Sequence, residues 1–197
     1  MDTTLHAGKF VQLKQRDGDG SSYEFVHESR CDGNIVAILP VSFSRGMLVR
    51  HEFTPCWGDG LNVSSITGGW EKDRHPTPID TVLEELREEA GIVLNDESCI
   101  MSLGTCRGTK SSDTLYHLFV VDLTEEDMWD QIEIETDGSV LEGKAHNEWV
   151  TVPAPMSDTN AEDCPWLVDG QDPLLYVMFT RWMTGLLHKD VSRADYA

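Results

Sequence analysis

Residues 68–92 read GGWEKDRHPTPIDTVLEELREEAGI, which is a glycine turn, a polar loop and one helix with clear ends. Thr77 is a favourable N-cap residue, and Pro78 suits the first helical position. Asp80 stands at the third helical position, where it can complete a capping box. Gly91 is the residue type that ends a helix in a left-handed conformation. The sequence therefore predicts a helix that starts at Pro78 and ends before Gly91.

The 100° step of this helix separates an apolar face from an acidic one. The acidic face carries Glu85, Glu88 and Glu89 at i, i+3 and i+4, while Glu84 and Arg87 are expected to point to solvent. The three carboxylates repel each other and lie near the helix C-terminus, where the helix dipole disfavours negative charge. A hard divalent cation would compensate, although a merely solvated acidic face is the open alternative. The apolar face, expected to pack on a sheet, comprises Ile79, Val82, Leu83, Leu86 and Ala90.

The composition excludes several classes of protein. Among 197 residues, 35 acidic and 15 basic side chains give a formal net charge of −20, which disfavours binding to nucleic acid or to an anionic membrane surface. No stretch approaches the ~20 apolar residues of a membrane span, and the N-terminus lacks the features of a signal peptide. The 5 scattered cysteines form no CxxC pair, which argues against disulfides and zinc. We expect a reduced, cytoplasmic protein.

The rest of the chain has mainly the patterns of strands. Two apolar segments joined by a short turn predict a hairpin, two later segments predict further strands, and a C-terminal segment has helical apolar spacing. These elements, together with the helix above, predict a mixed α/β domain. The segments are residues 34–43, 47–53, 115–123, 148–152 and 173–188.

The helical stretch resembles the Nudix box, whose pattern is G-x5-E-x7-R-E-U-x-E-E-x-G-U, with U an aliphatic residue. Residues 85–92, ELREEAGI, match its last eight positions without a gap, and Gly69 matches its glycine. The resemblance implies an α/β fold of the Nudix type, an α/β/α sandwich around a mixed β-sheet with the loop–helix catalytic motif. It also implies an N-terminal strand region, residues 1–32, followed by a Nudix hydrolase domain, residues 33–197.

Three departures separate this chain from the pattern. Glu84 replaces the arginine before the first helical glutamate, Pro76 replaces the earlier glutamate, and one extra residue follows Gly69. In the family, the two replaced residues shape and orient the loop–helix unit, whereas the helical glutamates hold the metals. We interpret the two losses as coupled, because an arginine without its acidic partner has less to hold.

The resemblance also implies a chemistry. Glu85, Glu88 and Glu89 would be catalytic residues and ligands of Mg²⁺ or Mn²⁺, and the carbonyl of Gly69 would be a further ligand. The implied reaction is hydrolysis of the diphosphate linkage in a nucleoside diphosphate derivative, such as a nucleotide sugar. A cation held by carboxylates neutralises a diphosphate and lowers the pKa of bound water. It also allows an acidic protein to bind an anionic substrate.

The order of elements resembles the ADP-ribose and ADP-sugar pyrophosphatase branch of the family. That branch implies a homodimer and a general base in the loop before the last strand, for which Glu142 is the candidate. The alternative for Glu142 is one more solvated carboxylate. The substrate-contacting arginine of the branch falls on Phe53, which argues against a straightforward ADP-ribose specificity.

Three further residues are candidates for substrate binding, each with a simpler alternative. Trp70 can stack on a base or sugar, or pack in the core. Arg74, beside His75, can contact phosphate, or belong to a solvated loop. Arg107 is one of the few cations in this acidic chain, and it can reach substrate from the loop after the box.

Three functions remain open from the sequence. The first is a Mg²⁺-dependent pyrophosphohydrolase, which acts on acid anhydrides in phosphorus-containing compounds. The second is a catalytically weak Nudix-fold module that binds a nucleotide, which the Pro76 and Glu84 departures favour and the intact glutamates oppose. The third is an acidic metal buffer with several weak sites and no dependence on Gly69.

Overall fold

The computed structural model describes residues 2–134, 145–151, 172–185 and 189–190. Its strands, in chain order, are β1 (Asp2–Ala7), β2 (Val11–Gly18), β3 (Ser21–Glu28), β4 (Asn34–Ser42), β5 (Gly46–Phe53), β6 (Leu61–Ser64), β7 (Ile66–Gly69), β8 (Ile92–Leu94), β9 (Ile100–Cys106), β10 (Leu115–Asp122), β11 (Trp129–Gln131), β12 (His146–Val150) and β13 (Lys189–Asp190). The α-helices are α1 (Pro78–Glu85) and α2 (Pro173–Thr184). A π-helical turn, Leu86–Ala90, follows α1, and two short 3₁₀ turns are Glu97–Cys99 and Glu126–Met128.

The strands form three sheets. β1, β2 and β3 make an antiparallel N-terminal sheet, and β8 pairs with β11. The main sheet has the order β12-β5-β4-β10-β9-β13, with β6 added on β5 and β7 on β4. β4 and β10 run parallel while their other neighbours are antiparallel, so the sheet is mixed. The predicted α/β class with a mixed sheet is confirmed.

The two faces of the main sheet carry separate cores because successive strand residues point to opposite sides. On β4, Val36 and Ile38 belong to the core that includes α1. Ala37 and Leu39, between and after them, belong to the core that includes α2. The described helices therefore cover opposite faces, and α1 reaches the sheet through the apolar side chains that its spacing predicted.

Local capping fixes both ends of the α1 segment as the sequence predicts. The backbone N–H and hydroxyl of Thr77 donate to Asp80 Oδ2 at 2.9 and 2.8 Å, and Pro78 occupies the first turn. Gly91 ends the segment with φ of 64°, in the left-handed region that favours glycine. The last five residues wind as a π-helical turn instead of continuing as α-helix, which the sequence did not indicate.

The remaining predicted elements lie close to their expected places. The hairpin corresponds to β4 and β5, and the segment from residue 115 to β10. β12 begins two residues earlier than predicted. The C-terminal helix stops at Thr184, because Gly185 adopts a left-handed conformation with φ of 63°. The described helices include none with the length and apolar character needed to cross a membrane.

The predicted boundary between residues 32 and 33 falls in the link between β3 and β4, where the chain leaves the N-terminal sheet. That sheet packs less tightly than the main one: all six residues of β1 are exposed. The two-part organisation stays a prediction, since the separation of the sheets does not establish independent domains.

Asp172 joins the start of α2 to Ser65, which lies between β6 and β7, and its removal should destabilise the fold. Its buried carboxylate accepts hydrogen bonds from Leu174 N and from Ser65 N, both at 2.8 Å, and from the Ser65 hydroxyl. Asp172→Ala leaves these buried donors unsatisfied and should lower the free energy of unfolding by about 2–4 kcal/mol in urea denaturation. The matched control is Asp96→Ala, at an exposed cap that accepts from Ser98 N, with an expected loss much smaller than that of Asp172→Ala. Equal losses would contradict the anchoring role of Asp172.

Candidate active site

The acidic face of α1 and its π-helical turn opens into a cleft of about 740 Å³. Glu85, Glu88 and Glu89 all line this cleft, as the helical spacing predicted. The opposite walls come from β7, β5 and β12 and from the chain on either side of residues 135–144. The other polar residues on the walls are Arg30, Arg50, Thr67, Arg87, Glu133 and Asn147.

The carboxylate of Glu85 lies directly against the backbone of Gly68. A Cβ atom added to Gly68 would be 1.8 Å from Glu85 Oε1 and 2.2 Å from its carboxyl carbon. Any side chain at position 68 would therefore displace the glutamate. A Cβ atom on Gly69 would instead meet Arg30 Nη2 at 3.1 Å and Cys31 Cβ at 3.2 Å. Of the two glycines, Gly68 makes room for the acidic cluster, whereas the sequence comparison singled out Gly69.

Burial raises the pKa of the Glu85 carboxyl from its ordinary value of 4.5 to about 8. The charges of Glu89, Glu88 and Glu84 contribute to this rise, and Arg30 opposes it. Glu85 thus holds a proton at neutral pH unless a cation stabilises its charged form. This pKa is the electrostatic signature of carboxylates that lack a compensating positive charge.

Two donors from neighbouring strands hold the backbone carbonyl of Glu89. Arg50 Nη1 donates to it at 3.0 Å, and Asn147 Nδ2 donates at 2.7 Å. Arg50 also lies 3.6 Å from the Glu89 carboxylate, measured from Nε to Oε2, and is only 8% exposed. These two hydrogen bonds restrain the π-helical turn, which is the end of the segment that carries the glutamates.

Sequence reasoning missed Arg50 and Asn147. Alternation along β5 places Leu48 and Arg50 on one face, and Leu48 packs in the α1 core. An arginine two residues after a core leucine, on the same face as Glu52, was thus a usable signal. Asn147 pairs with Arg50 across the β5–β12 register, and no local pattern reveals a pairing between strands so distant in sequence.

The carboxylates of the cleft are suitable ligands for a hard cation, but they do not yet surround one point. Mg²⁺ prefers oxygen ligands such as carboxylates. The pKa of Glu85 is raised by its burial and by the negative charges of the neighbouring glutamates. Glu88 is exposed and can turn toward the cleft. Within residues 2–134, 145–151 and 172–185, no three His, Cys, Asp or Glu side chains already stand close enough together to hold a metal ion. The three carboxylates suit a divalent cation by the chemistry of their oxygens and by the cleft that they share, and they would have to move closer together to hold it.

The structure places the three substrate-binding candidates away from the acidic cleft. Trp70 is 7% exposed and packs in the α1 core, where it contacts the ring of His117 edge-on at 5.1 Å between centroids. This supports packing over base stacking for Trp70. Arg74 pairs with Glu84 on the outer side of α1. Arg107 lines a different cleft, of about 520 Å³, and donates to Asp113 O at 2.6 Å.

The structure describes the surroundings of Glu84 but not those of Glu142. Glu84 is not simply solvated, because both Arg74 and His75 contact its carboxylate. Glu142, the candidate general base, lies outside the described residues, and its role stays a prediction.

Comparison with known proteins shows the fold. No protein-family profile and no curated protein sequence matches this chain. A crystal structure described as an ADP compounds hydrolase is similar, with a TM-score of 0.58 over 94% of this chain and 93% of that chain. The two sequences are 13% identical, so the likeness concerns the fold alone. The chain is thus an α/β protein whose arrangement of strands and helices resembles that hydrolase.

Replacement of Glu85 should change how stability depends on pH. With a folded pKa of about 8 and an ordinary value of 4.5, the native protein binds more protons than the unfolded chain between these pH values. The contribution of this proton to stability is therefore fully present below pH 4.5 and is lost as the pH rises through 8. Glu85→Gln removes the titration, so without divalent metal the variant should gain about 1–3 kcal/mol over the parent between pH 5 and 8.5.

The measurement is urea denaturation across that pH range in the presence of a chelator. The control is Glu24→Gln, at an exposed position on β3, whose stability difference from the parent should stay constant. A constant difference for Glu85→Gln as well would contradict the buried, proton-binding carboxylate.

Proposed function

We propose that this protein is a Nudix-type hydrolase that cleaves the diphosphate linkage of a nucleoside diphosphate derivative and depends on Mg²⁺ or Mn²⁺. The observation that carries the proposal is the convergence of Glu85, Glu88 and Glu89 on one cleft, with Glu85 seated against Gly68. The fold likeness to a hydrolase of ADP compounds supports the same substrate class. A nucleotide sugar or a related small molecule is the proposed substrate.

Glu85, Glu88 and Glu89 would hold the metal, with the carbonyl of Gly69 as a further proposed ligand. When bound, a divalent cation neutralises the diphosphate and lowers the pKa of a water molecule. Glu85 must lose its proton to act as a ligand, because its pKa is about 8. Arg50 and Asn147 keep the turn that bears Glu88 and Glu89 from shifting.

The cleft also offers positive charge for the phosphates. Arg30, Arg50 and Arg87 all line it, although the whole chain has only 15 lysines and arginines against 35 acidic residues. Guanidinium groups bind phosphate oxygens well because their N–H groups form a planar fork. A cleft lined by both glutamates and arginines is suited to a complex of an anionic substrate with a divalent cation.

The remaining roles are proposed from the resemblance and from charge. Glu142 would be the general base, while Arg107 would need to reach substrate from outside the cleft. A homodimer has support in the N-terminal sheet, where Leu13 and Val26 are paired across β2 and β3 yet 36% and 43% exposed. We propose a cytoplasmic protein that binds neither nucleic acid nor membranes, because of its net charge of −20.

A second candidate function is a nucleotide-binding module with weak or no catalysis. The observation that favours it is that the carboxylates do not converge on a single point within the described part of the chain. Such a module would still bind a nucleotide in a metal-dependent manner.

Replacement of Glu89 separates the two functions. Nucleoside diphosphate sugars, dinucleotides and nucleoside triphosphates would be incubated with Mg²⁺ or Mn²⁺, and phosphate would be measured after phosphatase treatment. We expect turnover that a chelator abolishes and that Glu89→Gln lowers by about 10²-fold, because metal stabilisation is lost. Glu24→Gln should retain full activity.

The outcomes of this screen differ clearly. Metal-dependent turnover that survives in Glu89→Gln would contradict the proposed metal site. No turnover on the whole panel, with metal-dependent nucleotide binding by calorimetry, would establish the binding module instead.

Gly68→Ala tests the geometry of the cleft with a single methyl group. The new Cβ would overlap the Glu85 carboxylate, so we expect kcat to fall by about tenfold or more as the ligand set is displaced. Gly60→Ala is the matched control, because a Cβ there meets nothing within 4 Å and activity should be unchanged. Equal kcat values for the two variants would show that the Glu85 position is unimportant to turnover.

A further inference from the structure

The loop between β7 and α1 closes back onto the helix through one carboxylate. Arg74 Nη2 donates to Glu84 Oε1, and His75 Nε2 lies 2.9 Å from Glu84 Oε2. Both oxygens of Glu84 are thus engaged. The Glu84 and His75 side chains are only 20% and 15% exposed, so this contact is partly shielded from solvent.

The loop side of this contact is anchored in the core. The indole N–H of buried Trp70 donates to His75 O at 2.9 Å. The backbone N–H groups of Arg74 and His75 both donate to Glu71 O, at 2.9 and 2.8 Å. His75 therefore has a fixed backbone when its ring meets the helix.

The helix side of this contact leads straight to the cleft. Glu84 is followed by Glu85, whose carboxylate lies against Gly68, and Gly68 is two residues before Trp70. A closed path thus runs from Trp70 through His75 and Glu84 to Glu85 and back to β7. Within that path, the contact at Glu84 restrains rotation of α1 about its own axis.

We propose that Arg74, His75 and Glu84 form a brace that positions Glu85 in the cleft, with the loop cationic and the helix anionic. The proposal rests on the proposed function for its catalytic consequence. The box pattern places an arginine where this chain has Glu84, so the brace has the opposite polarity. In this proposal the Glu84 departure marks a contact with reversed charges, and the coupling of the Pro76 and Glu84 departures stays a prediction.

The brace also places the positive charge of Arg74 beside the Glu84 carboxylate. Arg74 Nη2 and His75 Nε2 contact the two oxygens of Glu84, the carboxylate next to Glu85 in the chain. The three residues are positioning residues, since they lie outside the cleft and act through Glu85. Their loss should lower kcat while KM changes little, because substrate binding does not involve them.

Charge exchange tests the brace. We would compare the parent with Glu84→Arg, Arg74→Glu and the double variant Arg74→Glu/Glu84→Arg, which restores an attractive pair with the opposite polarity. Each single variant should lower kcat by about tenfold, with KM within about twofold, because like charges then meet. The double variant should recover to within about threefold of the parent kcat.

Another exposed ion pair supplies the matched control. Arg45 Nη2 lies 3.2 Å from Glu126 Oε1, outside the cleft, with both side chains exposed. Glu126→Arg should leave kcat within about twofold of the parent value. A double variant no more active than the worse single variant would overturn the proposal, as would an unchanged kcat in Glu84→Arg.

A second readout separates failure of the brace from failure of the proposed function. Amide hydrogen exchange of the peptide that covers residues 85–91 requires no substrate. Exchange there should quicken by about tenfold in each single variant and return toward the parent rate in the double variant. If the parent turns over nothing, the proposed function fails and this pattern still supports the brace. Unchanged exchange in the single variants overturns the brace whatever the activity.

Discussion

The structure around the cleft depends on one constraint, the burial of the Glu85 carboxylate against the backbone of Gly68. A carboxyl group in this place loses hydration and lies near three other carboxylates, so its pKa rises to about 8. Its position cannot be shared with a side chain at residue 68. The packing of α1 beside β7 permits this contact and keeps the mutually repelling glutamates near one another.

Three separate supports oppose the repulsion in that cluster. The apolar side of α1 packs on the main sheet, Arg50 and Asn147 donate to the carbonyl of Glu89, and Arg74 and His75 of the loop contact Glu84. The supports come from different elements, so the acidic face is restrained at its start, along its length and at its end. In the proposed hydrolase, this restraint would keep the carboxylates near one another before a cation binds.

The sequence by itself determined the local features. Thr77, Asp80 and Gly91 set the limits of the α1 segment through hydrogen bonds and backbone conformations that span only a few residues. The spacing of Glu85, Glu88 and Glu89 fixed a shared acidic face, since helical geometry is the same in any surroundings. Near-continuous apolar runs likewise located β4 and β10 and indicated the mixed α/β class.

Only the tertiary structure decided which residues complete the site. Arg50 and Asn147 meet because β5 and β12 pair, and Gly68 faces Glu85 because β7 lies beside α1. The same long-range packing buried Trp70 and left Arg107 at another cleft. Local patterns report hydrogen bonds and turns within a few residues, whereas these contacts depend on how whole elements pack. That difference is the physical reason why the acidic helix was readable from the sequence and its surroundings were not.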